Sequence, residues 1–167
     1  MTVDDVQKID QQVTELLTTV FGSTETIKLP LDLNKVLSHY GLTLREGTFE
    51  GDELAGALDR ESKTIFVESS DDFARKNFTI AHELGHFRLH QDLQTDIFYR
   101  YQVRKLWGLE EDKRELEANR FAGDLLMPEK FIRDLWTVTQ DTEKLAQIFG
   151  VSPEAMRYRL QHLQLMR

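Results

Sequence analysis

His82, Glu83 and His86 have the types and spacing of a hydrolytic metal site, in the string His82-Glu83-Leu84-Gly85-His86. On a helix, positions i and i+4 lie one above the other on the same face, so two imidazoles there can hold one ion. Glu83, beside the first imidazole, is placed to reach a water on that ion and act as general base. The string reads H-E-x-x-H, the pattern of zinc-dependent peptidases. The bland alternative is a pair of surface histidines on an ordinary helix.

A catalytic zinc takes three protein ligands and keeps one position for water, so a third ligand must come from elsewhere. The chain has no cysteine, which leaves His, Asp or Glu. His90 sits one turn beyond His86, but residues at i, i+4 and i+8 span about 12 Å of helix and do not easily share one ion. It reads as a neighbour that supports the site. His39 and His162 read as ordinary half-buried histidines. The better candidate is in a helix beginning near Glu111. There Glu115 and Asn119 share one stripe, and Ala118 and Ala122 allow tight packing against the first helix. Glu115 is the expected third ligand. Asn119 is expected to accept from the free N–H of a ligand histidine and so fix its tautomer. Glu117 is the runner-up ligand. The bland reading of Glu115 is a solvated charge in an acidic run.

Several elements must position these groups. Thr64–Val67 is β-branched and aromatic, so it reads as a short strand. Ser69-Ser70-Asp71-Asp72 reads as a helix N-cap, and the apolar residues from Phe73 to Leu89 give a mostly buried helix that carries the motif. Gly85 is discordant, since glycine costs about 1 kcal/mol against alanine within a helix; a close neighbour there would account for it. Upstream, an amphipathic helix runs from Val3 to near Gly22, and a second is capped by Asp32 and ends at Gly41. Leu42-Thr43-Leu44 alternates like a strand. Residues 54–58 and 64–67 form an expected hairpin, giving three strands ahead of the metal helix. The edge of that sheet is a place for an extended peptide to bind by strand addition. Residues 91–110, with Phe98, Tyr99, Tyr101 and Trp107 among basic residues, read as a helix packed by its aromatics. The sharper reading is a substrate-contact segment in which Tyr99 or Tyr101 donates to an oxyanion. The tail from Leu145 to Leu163 has two helical segments around Gly150-Val151-Ser152-Pro153, the form of a helix-turn-helix. Arg157, Arg159 and His162 are its only basic readers, and Glu154 sits at its start, so a structural or partner-docking role is favoured over DNA binding.

Phe78-Thr79-Ile80-Ala81-His82-Glu83-Leu84-Gly85-His86, then Leu89-His90, then the run from Glu115 to Pro128 through Ala118-Asn119-Arg120-Phe121-Ala122, resemble the ImmA/IrrE family of zinc metallopeptidases. Weaker matches are Ala55-Gly56-Ala57-Leu58 and the segment from Leu145 to Leu160. The resemblance covers roughly residues 31–163. Val67-Glu68-Ser69 departs from it by lacking an asparagine often found there, which puts no ligand in doubt. The resemblance implies His82, His86 and Glu115 as zinc ligands and Glu83 as catalytic base. It also implies cleavage of a protein substrate, a helix-turn-helix transcriptional repressor encoded nearby, with derepression of genes of a mobile element or stress response. The fold expected is α+β: a mostly helical, zincin-like metallopeptidase with a small three-stranded sheet over residues 1–140. Residues 141–167 would be a helix-turn-helix-like appendage packed on it.

Composition agrees with a small enzyme. The 167 residues carry a net charge of -8, which argues against broad phosphate-backbone binding. The acidic start, Met1-Thr2-Val3-Asp4-Asp5, lacks the look of a signal peptide, and no apolar run has the length of a membrane span, so a cytoplasmic protein is expected. One Zn2+ per chain is the expected cofactor, although two histidines and a glutamate also suit Mn2+ or Fe2+. The rival functions are a non-catalytic, zinc-stabilised interaction or antitoxin-type module, and a DNA-binding regulator using the tail.

Overall fold

The computed structural model describes residues 1–23, 27–50, 54–92, 95–99 and 113–166. The chain begins with helix α1 (Val3–Phe21), where Thr2 and Asp5 form a capping box, and Gly22 ends it with a positive φ. Helix α2 (Leu33–Tyr40) is capped by Asp32 and stopped by Gly41 in the left-handed conformation. Both caps are where the sequence puts them.

Strands β1 (Thr43–Gly47), β2 (Leu54–Asp59) and β3 (Thr64–Glu68) follow. β2 and β3 form the expected hairpin, antiparallel with Leu58 opposite Ile65. β1 pairs parallel with β3, Leu44 opposite Ile65. β3 is an interior strand, paired on both sides, and buries Ile65 and Val67, which suits its unbroken apolar run. Glu68, at its end, accepts from the backbone N–H groups of Phe49 and Ser70 and from the Ser70 hydroxyl, which holds its carboxyl down at about 2.

Helix α3 (Phe73–Leu89) crosses the sheet and carries the motif. Asp72 caps it by accepting from the Arg75 N–H. The run after α3 departs from the helix expected there: Thr95–Tyr99 is strand β4, antiparallel to the outer side of β2, giving the order β1-β3-β2-β4. Ile97, Phe98 and Tyr99 are strong strand formers, and the open edge of β2 supplies the hydrogen bonds that a short helix would have had to make alone. The three expected strands are thus joined by a fourth.

Helix α4 (Lys113–Leu126) lies against α3. The reason for Gly85 is visible here. A Cβ on it would come within 3.1 Å of the Ala118 Cα and 3.2 Å of its carbonyl oxygen. A small residue on each helix lets the two backbones approach. Gly85→Leu is therefore expected to force α3 and α4 apart, lowering stability by about 1–3 kcal/mol or more; a denaturant midpoint equal to wild type would show that the contact tolerates bulk.

Helix α5 (Glu129–Thr139) has no counterpart among the elements expected above, although Ile132, Leu135 and Trp136 give it an inward face. Helices α6 (Thr142–Phe149) and α7 (Pro153–His162) enclose the expected turn, with Gly150 left-handed and Ser152 capping α7. One apolar core runs from Ile9 through Ile65, Leu84 and Phe121 to Phe149, Met156 and Leu160. Arg159, read above as a possible base reader, is buried. It donates to the Met127 carbonyl and pairs with Asp124, which also binds Arg120.

Candidate metal centre

α3 and α4 bring His82, His86 and Glu115 together at the buried side of their contact. The two histidines face the same way because they are one helical turn apart. Glu115 reaches them because the Gly85–Ala118 contact seats α4 closely, one turn from Glu115 along that helix. His82 Nε2 and His86 Nε2 lie 3.0 Å apart. Glu115 Oε2 is 3.5 Å from the first, and its Oε1 is 3.7 Å from the second. Ligand atoms placed tetrahedrally at about 2.1 Å from one ion would stand about 3.4 Å from each other. The triangle therefore has the size of a metal site.

The outward nitrogens strengthen this. His82 Nδ1 is 2.9 Å from Asn119 Oδ1, a carbonyl oxygen that can only accept. Its proton therefore sits on Nδ1, and Nε2 turns a lone pair toward the centre. His86 Nδ1 is 2.9 Å from His90 Nδ1. If its proton is likewise on the outer nitrogen, two lone pairs and a carboxylate converge within a few ångströms. Such a gathering is repulsive unless a cation sits among them, so the donor set fits a divalent metal.

Glu83 is fully buried on the sheet side of α3. Gly56 of β2 makes room beside it: a Cβ at that position would lie 2.3 Å from Thr79 Cγ2, 2.9 Å from the Phe66 carbonyl oxygen and 3.7 Å from Glu83 Oε1. Glycine is thus required for β2 to pass this close to the helix.

Of the residues read from the sequence, His82, His86, Glu115, Asn119 and His90 are contiguous, and Glu83 follows His82 on the same helix. Glu117, the runner-up ligand, turns away from the three: its Oε2 lies 2.9 Å from His90 Nε2. His39 and His162 are elsewhere, the latter beside Arg120. The hydroxyls of Tyr99 and Tyr101 fall outside the described residues. Arg60 is an addition to the residues expected from the sequence. From the end of the β2–β3 hairpin it donates to the backbone carbonyls of His86, Phe87 and His90, and so closes the C-terminal end of α3 with a positive charge. No spacing in the sequence signals this, since the partners are far apart along the chain.

Comparison with known proteins gives consistent matches. The family model described as the IrrE N-terminal-like domain matches residues 37–161. "Uncharacterized immunity region protein 2" of Bacillus phage phi105 is 37% identical over 96 residues, 58% of this chain and 58% of that protein. Metallopeptidase ImmA of Bacillus subtilis is 27% identical over 107 residues, covering 63% of this chain and 60% of that protein. Radiation response metalloprotease IrrE of Deinococcus radiodurans is 37% identical over 82 residues, 48% of this chain and 24% of that protein. The aligned region is thus less than two thirds of the length of each of these relatives. A solved structure of a Mycobacterium tuberculosis transcriptional regulator superposes with a TM-score of 0.65 and 20% identity, over 92% of this chain and 46% of that one, which speaks for the fold.

Proposed function

Because this chain belongs to the family of IrrE N-terminal-like domains, we propose that it is a metal-dependent endopeptidase with its active site at His82, Glu83, His86 and Glu115. The observation that carries the reading is the buried His-His-Glu triangle with a carboxylate on the same helix. His82 Nε2, His86 Nε2 and the Glu115 carboxylate would hold Zn2+, with Mn2+ or Fe2+ as alternatives the same donors suit. The ion, when bound, supplies Lewis acidity and a lowered water pKa. Asn119 and His90 keep the two imidazoles turned inward. Glu83 takes the proton from the attacking water and returns it to the departing amide nitrogen, so one carboxylate serves first as base and then as acid.

The substrate we assign is a helix-turn-helix transcriptional repressor, cut so that its genes are released. Support comes from the family resemblance and from a relative named for a phage immunity region. Residues 141–167 would then serve as a structural appendage. Burial of Arg159 against Asp124 removes one of the cations a recognition helix would need, which disfavours the DNA-binding alternative. Among the described residues no helix is long and apolar enough to cross a membrane, and we place the activity in the cytoplasm.

Incubating the zinc-loaded chain with the repressor encoded beside its gene tests this. Defined fragments should appear, vanish with a chelator and return when zinc is restored. A repressor left intact but held in a stable complex would favour the interaction-module reading.

A further inference from the structure

Glu117 binds His90 through one oxygen and lies 3.4 Å from Lys113 Nζ through the other. His90 in turn faces His86, Nδ1 to Nδ1, at 2.9 Å. We propose that Glu117 is a positioning residue for the metal centre: acting through His90, it holds His86 in the tautomer whose Nε2 offers a lone pair to the ion. The inference rests on the reading of His86 as a ligand.

The argument is a count of protons. One proton fits between two ring nitrogens 2.9 Å apart. To ligate through Nε2, His86 must carry its proton on Nδ1 and donate it to His90. His90 accepts there only if its own Nδ1 is bare, so its proton sits on Nε2. An ionised carboxylate only accepts, and Glu117 lies against that Nε2. Of the two neutral forms of His90, Glu117 thus selects the one that agrees with metal binding. The other form would set two N–H groups against each other across the 2.9 Å gap. His82 reaches the same result in one step through Asn119. Arg60, bound to the carbonyls of His86 and His90, holds the backbone from which both rings of the longer chain hang.

The competing account is that Glu117 only forms an i,i+4 ion pair with Lys113, which itself pairs with Asp5 at 2.9 Å. An ion pair of that kind contributes little and would leave metal affinity untouched. The test is zinc affinity by competition with a chromophoric chelator, using the full chain. Glu117→Gln keeps an acceptor and should stay within about threefold of wild type, whereas Glu117→Leu should lose about 10–100-fold. Lys113→Met should lose nothing. His90→Asn, which still presents an acceptor to His86 Nδ1, should retain more affinity than His90→Leu. Unfolding temperatures of the metal-free variants separate a local effect from misfolding. The proposal is overturned if Glu117→Leu binds zinc as tightly as wild type, if Lys113→Met loses as much as Glu117→Leu, or if His90→Asn and His90→Leu lose equally. A wild-type chain that takes up no zinc at all overturns the metal-site reading along with it.

Discussion

Glu83→Gln is expected to hold as much metal as wild type and to cleave at least about 10²–10⁴-fold more slowly. The carboxamide has the shape of the carboxylate but cannot take up a proton and deliver it to a leaving amine. Burial makes the contrast sharp, because water has little access to substitute for a fully enclosed group. Gly56 leaves the space beside Oε1 open only to the extent that no side chain fills it, and Gln fits the same volume as Glu. Metal content per chain and fragment yield, measured on the same preparation, check both halves. Undiminished cleavage would remove Glu83 from the mechanism. Loss of metal with retained fold would recast it as a ligand.

Glu115→Ala is expected to weaken zinc retention by more than the roughly 10–100-fold that outer partners of a metal ligand contribute. The remaining pair, His82 and His86, would present two nitrogens 3.0 Å apart and no anionic ligand to offset the charge of the ion. Helix α4 should stay seated, since the Gly85–Ala118 contact and the buried Phe121 and Leu125 are untouched. The metal-free form should therefore unfold near the wild-type temperature, while added zinc raises the melting point of wild type only. Dialysis against a weak chelator followed by metal analysis decides the matter. Equal retention by wild type and variant would rule Glu115 out as the third ligand.

The parts of this molecule that were readable from sequence are those fixed by local physics. Asp32, Asp72 and Ser152 cap helices because a short acceptor side chain satisfies backbone N–H groups within its own turn, and Gly41 and Gly150 end them because they alone adopt a left-handed backbone without strain. His82 and His86 were readable for the same reason, as helical periodicity alone aligns them. Placing Glu115 near them needed only the small residues Ala118 and Ala122, which mark the face of α4 that packs. Apart from helix α5, whose inward face is itself a local signal, what escaped depends on partners distant in the chain. Strand β4 exists because β2 offers an open edge, and five residues do not announce that. Arg60 reaches α3 from a hairpin end. Arg159 carries the same charge on paper as any surface arginine, and only the fold shows that Asp124 waits for it inside.

Two of the three inward donors belong to α3 and the third to α4, and Gly85 and Ala118 hold those helices in register. An ion bound there is also a clasp between segments 29 residues apart, from His86 to Glu115. In the unfolded chain, joining ends that far apart would remove chain entropy equivalent to about 3–4 kcal/mol if the clasp behaved as a covalent cross-link. Cellular zinc would then set how long the protein survives as well as whether it cuts. A metal-starved cell would hold this chain in a less stable, more readily degraded form, and its abundance would follow the metal supply without any change in transcription.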